Sequence, residues 1–208
     1  INHDSVLTTI VGFVVLFFTA SRMFNQIHNS LNSIWDIKSK PKNGILYFVI
    51  KNVSSILLII VLFFLIFSST STTSFIHKFT EDIYYIKKIS FVYEHLITYL
   101  SISIMYAIMY AFFADAKVYW KAALLGGLFT SILFLFGKAG ISIYIGDTNF
   151  DSAFGSASVL ALFMVWVFYI AQSIFLGASF VKVYSDYLGV EIKPNSDAVK
   201  VEEIEVNN

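Results

Sequence analysis

The sequence predicts an all-α protein, a polytopic transmembrane helix bundle with amphipathic interfacial helices. Three observations predict this class. The chain is 57% hydrophobic and only 13% charged, with a mean hydropathy of +0.74, whereas soluble domains average about 25% charged residues. Several apolar runs are long enough to cross a bilayer. The strand-like alternation that would indicate a transmembrane β-barrel is not seen in the sequence.

Five apolar segments predict five spans, because a hydrocarbon core of ~30 Å needs ~20 mostly apolar residues per helix. The connector between the last two spans is short and acidic, residues 147–151, so these helices are expected to pack closely. The predicted spans are residues 5–21, 45–69, 91–114, 119–145 and 155–184.

The distribution of Lys and Arg predicts the orientation, since cytoplasmic loops carry an excess of these residues. Ten of them lie on one side of the predicted spans, against three on the other, Lys78, Lys87 and Lys88. This pattern places the C-terminus in the cytoplasm and Ile1 outside. A sixth span is therefore expected upstream of the sequence.

Two connectors are predicted to form amphipathic interfacial helices, residues 23–37 and 75–86. The polar face of the first is rich in amides rather than cations, which favours docking against the bundle over binding to anionic lipid. Residues 1–189 then form one transmembrane domain. Residues 190–208 are expected to form a mobile, acidic cytoplasmic tail.

Lys138 is the one formal charge well inside a predicted span, and Gln172 is an amide near the middle of the last span. A lysine at mid-bilayer costs ~2.5–3.5 kcal/mol on insertion scales. Lys138 is expected either to snorkel or form a structural pair, with Asp147 or Asp151 as a partner, or to contact a substrate or ion. Gln172 is expected to form an interhelical hydrogen bond, with a cavity lining as the alternative.

Small residues recur at four-residue spacing in the last two spans, a pattern typical of close helix packing in membranes. A cavity lining is the alternative interpretation. The residues are Gly126, Gly127, Thr130, Ser131, Ser173 and Gly177.

The sequence contains no catalytic or metal-binding motif, so neither enzymatic activity nor a cofactor or metal is predicted. It has no Cys, no HExxH, no Gly-rich phosphate loop and no nucleophile elbow. Its 14 basic and 14 acidic residues balance, which argues against a nucleic-acid partner.

Three long segments resemble the YihY/virulence factor BrkB family of integral membrane proteins, formerly labelled ribonuclease BN. They are FFTASRMFNQIHNSLNSIWDIK, DAKVYWKAALLGGLFTSILFLFGKAGISIYIG and SAFGSASVLALFMVWVFYIAQSIFLGASF. The resemblance implies six spans, which agrees with a missing upstream helix. Where the family usually reads Gly-Ala-Glu in the closing helix, this chain has Ser179 after Gly177 and Ala178, which puts any role of that acidic residue in doubt here.

The resemblance implies a fold more than a function. The ribonuclease label is not expected to apply, because the chain has neither a basic groove nor an acid–base set. Two hypotheses remain. The first is a transporter or translocase of a lipid-like or amphiphilic envelope substrate. The second is a membrane scaffold that binds other membrane proteins, or a second copy of itself, through its small-residue helix faces.

Overall fold

The elements come from a computed structural model, which describes residues 3–40, 84–147 and 155–201. Four long helices and four short strands make up the described part. The helices are α1 (His3–Ile34), α2 (Tyr84–Phe112), α3 (Trp120–Asp147) and α4 (Gly155–Tyr187). The strands are β1 (Ile37–Ser39), β2 (Ala116–Lys117), β3 (Lys193–Pro194) and β4 (Ala198–Lys200).

Three of these helices are long and apolar enough to cross a membrane, by length and composition. They are the third, fourth and fifth spans of the sequence prediction, which confirms the helical, membrane-spanning class. The predicted second span, residues 45–69, lies outside the described residues, as do residues 75–83 of the second interfacial helix. Residues 84–86, which were predicted to end that interfacial helix, instead form the start of α2. The three apolar stretches are His95–Phe112, Trp120–Tyr144 and Ser158–Tyr187.

Helix α1 corrects the prediction of two separate elements at residues 5–21 and 23–37. The structure has one continuous helix of 32 residues, because neither Gly nor Pro interrupts residues 13–34. The helix ends at Ile34, and Asp36 follows with a φ of 56°. This is the left-handed region, which Asp tolerates better than most side chains do.

The best-buried part of the described residues lies at one end of the bundle. The C-terminal ends of α1, α2 and α4 meet the N-terminal half of α3 there, around the fully buried side chains of Leu31, Trp35, Tyr110 and Val181. Toward the other end, large apolar side chains such as Phe136 and Phe163 are exposed. An apolar exterior over the spans is what a lipid solvent requires.

Two strand pairs close the buried end and correct the prediction of a mobile tail for residues 193–201, whereas residues 202–208 of that tail lie outside the described residues. β4 pairs antiparallel with β1, and β3 pairs antiparallel with β2. Further hydrogen bonds run from Lys40 N to Asp197 O and from Val201 N to Asp36 O, both 2.7 Å. Residues 193–201 are therefore attached to two connectors, and we call this segment the C-terminal strap.

The strap is reached through a Schellman turn at the end of α4. Val190 N donates to Ser185 O and Gly189 N to Asp186 O, both at 3.0 Å. Gly189 has a φ of +68°, the conformation that this turn demands and that a Cβ disfavours.

Replacing Gly189 by Ala is expected to destabilise the protein by about 1 kcal/mol, because Ala pays the steric cost of the left-handed conformation. Gly189→Asn is the matched control, since Asn visits this region more readily. Thermal unfolding of the purified protein in detergent measures both. Equal unfolding temperatures for wild type and Gly189→Ala would contradict the assignment.

Candidate functional site

A buried polar cluster lies where the strands meet the helices. The Asp115 carboxylate accepts hydrogen bonds from Ser39 Oγ and, at 3.1 Å, from Asn32 Nδ2. Asp115 N donates in return to Asn32 Oδ1 at 2.9 Å. His28 Nε2 lies 3.5 Å from the other carboxylate oxygen, Oδ1. We call these four residues the Asp115 cluster.

Helix α1 contributes half of the cluster because His28 and Asn32 are four residues apart and share one face. Both side chains are buried, and Asn32 Nδ2 lies 3.4 Å from His28 Nδ1. The ring of Phe113 packs edge-on against the His28 ring. Of the polar face of this segment, His28 and Asn32 are therefore held inside the protein, while Gln26, Asn29 and Ser33 are exposed.

Two further contacts hold the end of α1 against α4. Trp35 Nε1 donates to the Ala178 carbonyl at 3.0 Å. Lys182 Nζ lies 2.7 Å from Asp36 Oδ2. The indole bond is buried, and the ion pair is partly exposed. Together they fix the α1–β1 turn on the closing helix.

An open pocket of about 440 Å³ lies beside the Asp115 cluster. Asn32 and Ser39 belong to both, so the pocket is bounded on one side by side chains that already hold Asp115. The lining is mostly polar, and the strap contributes one residue to it. The lining residues are Asn29, Asn32, Ser33, Asp36, Ile37, Lys38, Ser39 and Val201.

The Asp115 cluster joins three parts of the fold. Its hydrogen bonds connect α1, through Asn32, and β1, through Ser39, to the residue that precedes β2. Within residues 3–40, 84–147 and 155–201, no group of three or more His, Cys, Asp or Glu residues is placed to hold a metal ion.

The glycines singled out in the sequence lie at helix contacts. A Cβ on Gly126 would collide with the Val181 side chain, and one on Gly127 with the Ser103 carbonyl oxygen. A Cβ on Gly177 would collide with the hydroxyls of Thr130 and Tyr110. Helix α3 thus approaches α4 through Gly126 and α2 through Gly127.

The small hydroxyl residues bridge the same contacts. Thr130 Oγ1 and Tyr110 OH are 2.7 Å apart, and Tyr110 OH donates to the Ile174 carbonyl at 2.9 Å. Ser131 Oγ lies 2.7 Å from Ser103 Oγ. The buried Ser173 donates to Tyr169 O of its own helix. These residues lie in packed helix interfaces.

The remaining candidates, Lys138, Gln172 and Ser179, are exposed. Ser179 Oγ bonds the Phe175 carbonyl one turn earlier. Gln172 is exposed and its neighbour Ser173 is buried, and within the described part of the chain no interhelical hydrogen bond is seen for Gln172. No hydrogen bond in the described part of the chain joins Lys138 to Gln172. The expected partners of Lys138 are not placed, since Asp151 lies outside the described residues and the Asp147 side chain is not described.

Sequence reasoning missed the Asp115 cluster. His28 and Asn32 belong to the first of the three segments that carry the family resemblance, and Asp115 opens the second. The usable signal was a polar pair four residues apart on a helix face otherwise flanked by apolar residues. The contact between the two segments spans 83 positions, which no local pattern reports.

Comparison with known proteins gives one family. The family model described as virulence factor BrkB matches residues 1–202, which confirms the resemblance seen in the sequence. A UPF0761 membrane protein of Teredinibacter turnerae is 28% identical over 181 residues, 85% of this chain and 41% of the relative. One from Saccharophagus degradans is 25% identical over 84% of this chain and 40% of its own length. No solved structure matches the chain significantly.

A third relative, a UPF0761 membrane protein of Glaesserella parasuis, is 25% identical over 86% of this chain and 62% of its own length. The chain therefore spans about two fifths of the length of the first two relatives and less than two thirds of the third.

Gly127→Ala is expected to destabilise the protein by about 1–3 kcal/mol, because the added methyl meets the backbone of α2 rather than a movable side chain. Gly140→Ala on the same helix is the matched control, since a Cβ there meets nothing within 4 Å. Unfolding temperatures in detergent report both changes. A Gly140→Ala loss as large as that of Gly127→Ala would contradict the contact.

Asn32→Ala is expected to cost about 2–3 kcal/mol, because it removes the bonds to both the backbone and the carboxylate of the partly buried Asp115. Ser33→Ala is the control, since Ser33 is adjacent and exposed. Equilibrium unfolding gives the difference. Equal stability of the two variants would show that the Asp115 cluster does not hold the bundle end.

Proposed function

We propose a transport function for this chain, which belongs to the virulence factor BrkB family of membrane proteins. In this proposal it moves a lipid-like or amphiphilic envelope substrate across or within the bacterial inner membrane, without catalysing covalent chemistry. The observation that supports it is the exposure of Lys138 and Gln172 on the spanning helices α3 and α4.

Gln172 lies in an apolar surface stripe of α4. Phe168 and Leu176, one turn before and one turn after it, are both exposed. An amide on such a surface has no hydrogen-bond partner in lipid tails, which costs free energy. A lipid headgroup that moves along this stripe would supply that partner.

Lys138 provides the same kind of contact on α3. Leu135, one turn earlier, is exposed beside it. An ammonium group on a spanning helix is costly among lipid tails and favourable next to a phosphate. Since α3 and α4 are neighbouring helices, a cation on one and an amide on the other suit a substrate with an anionic or polar head and an apolar tail.

The competing scaffold function needs free small-residue helix faces. Gly126, Gly127 and Gly177 are instead covered by side chains and backbone of this same chain. These faces are therefore not available to another membrane protein, which favours transport over the scaffold.

The proposed orientation keeps the strap in the cytoplasm. Exposed lysines gather at the end of the bundle that carries the strands, as expected for a cytoplasmic face. They are Lys38, Lys40, Lys117, Lys121, Lys193 and Lys200.

The test is a lipid-flux assay on the full-length protein in vesicles that contain a fluorescent phospholipid, with an external quencher. Lys138→Ala and Gln172→Leu are each expected to slow flux about tenfold, the change that ~1.4 kcal/mol of lost interaction produces. Phe136→Ala and Phe163→Ala are the matched controls and are expected to keep the wild-type rate, because both side chains are exposed on the faces of α3 and α4 opposite Lys138 and Gln172.

Two outcomes would contradict the proposal. Wild-type flux no faster than in protein-free vesicles would exclude lipid transport under these conditions. Fast flux that is equal in all variants would remove Lys138 and Gln172 from the path.

A further inference from the structure

Two lysines lie directly opposite each other in the β2–β3 pair. The register places Lys117 across from Lys193 and Ala116 across from Pro194. Ala116 is buried and Pro194 half-buried, while both lysines are exposed. Because successive residues of a strand point to opposite faces, the two ammonium groups share the outer face.

This arrangement is unfavourable in the isolated chain. Side chains directly opposite in an antiparallel pair have Cβ atoms about 4.5–5.5 Å apart, and like charges there destabilise the pair. An anion bound between the two lysines would replace this repulsion with an attraction.

No ion pair described within residues 3–40, 84–147 and 155–201 includes Lys117 or Lys193. The pairs there include His28 with Asp115, Lys182 with Asp36, and Lys200 with Glu191. Glu191 is the acidic group near Lys193. The hydrogen bond from Lys200 lowers the pKa of Glu191 first, and the charge of Lys193 lowers it further. Its carboxylate is thus already engaged by Lys200.

The lysine pair lies at the level where lipid headgroups are expected. The apolar stretch of α3 begins at Trp120, whose side chain is 59% exposed. Exposed Trp side chains are typical of the membrane–water interface. Lys121 Nζ lies 5.8 Å from the centre of the Trp120 ring. Lys117 therefore lies three residues before the start of this apolar stretch.

We propose that Lys117 and Lys193, assisted by Lys121, bind the phosphate of an anionic lipid headgroup. The headgroup neutralises the opposed ammonium groups, and its tails continue along the apolar surface that starts at Trp120. The bound lipid fastens the strap to the α2–α3 connector. This site is separate from Lys138 and Gln172, and it does not depend on the transport proposal.

The chain offers a matched control at the same end of the bundle. Lys38 on β1 lies across from Val199, not from another lysine, and Lys40 follows it with an exposed side chain. Lys38→Gln/Lys40→Gln removes the same charge as Lys117→Gln/Lys193→Gln without touching an opposed pair.

The experiment is thermal unfolding of the full-length protein in neutral detergent, titrated with short-chain phosphatidylglycerol, short-chain phosphatidylcholine or inorganic phosphate. Phosphatidylglycerol is expected to raise the unfolding temperature most. Lys117→Gln/Lys193→Gln should weaken its apparent affinity about 25-fold, or about fivefold for each lysine removed. Lys117→Arg/Lys193→Arg should retain binding, and Lys38→Gln/Lys40→Gln should leave the affinity unchanged.

A lipid-free measurement separates binding from folding. Without lipid, Lys117→Gln/Lys193→Gln should unfold at or above the wild-type temperature, because the repulsion is gone. A lower temperature would overturn the claim that the pair is unfavourable without an anion. Equal stabilisation by phosphatidylcholine or by inorganic phosphate, or an equal loss of affinity in Lys38→Gln/Lys40→Gln, would overturn the headgroup site.

Discussion

The partial burial of one carboxylate, that of Asp115, is the constraint on which the described structure depends. A carboxylate removed from water must be surrounded by donors. Here α1 provides Asn32 and His28, and β1 provides Ser39. The backbone carbonyl of Asp115 accepts a hydrogen bond from Asn195 N in the strap. Asp115, which lies between α2 and β2, therefore links α1, the first strand pair and the strap.

The bundle meets two solvents with different chemistry. Among lipid tails there is no hydrophobic drive between helices, so α2, α3 and α4 associate through close approach and hydroxyl bonds. Gly126, Gly127 and the Tyr110–Thr130 pair provide these. At the end of the bundle that carries the strands, apolar side chains such as those of Trp35 and Leu31 are buried in a core. The Asp115 cluster lies where these two regimes meet.

Sequence periodicity predicted the spanning helices well and their partners poorly. A run of apolar residues reports length and solvent, which is why α2, α3 and α4 matched their predicted spans. It does not report which polar face is buried. Gln172 and Ser173 are adjacent, and only packing decides that the serine is the inner one. Strands of two or three residues carry no periodic signal at all, so the strap was missed.

The strap has a consequence for how the protein is made. Its residues follow all four described helices in the chain, so α1, α2 and α3 leave the ribosome before β3 and β4 exist. The edges of β1 and β2 therefore stay unpaired until α4 has been synthesised and the turn at Gly189 has reversed the direction of the chain. The nascent protein therefore passes through a stage in which its four described helices have been synthesised while the strand edges of β1 and β2 remain unpaired.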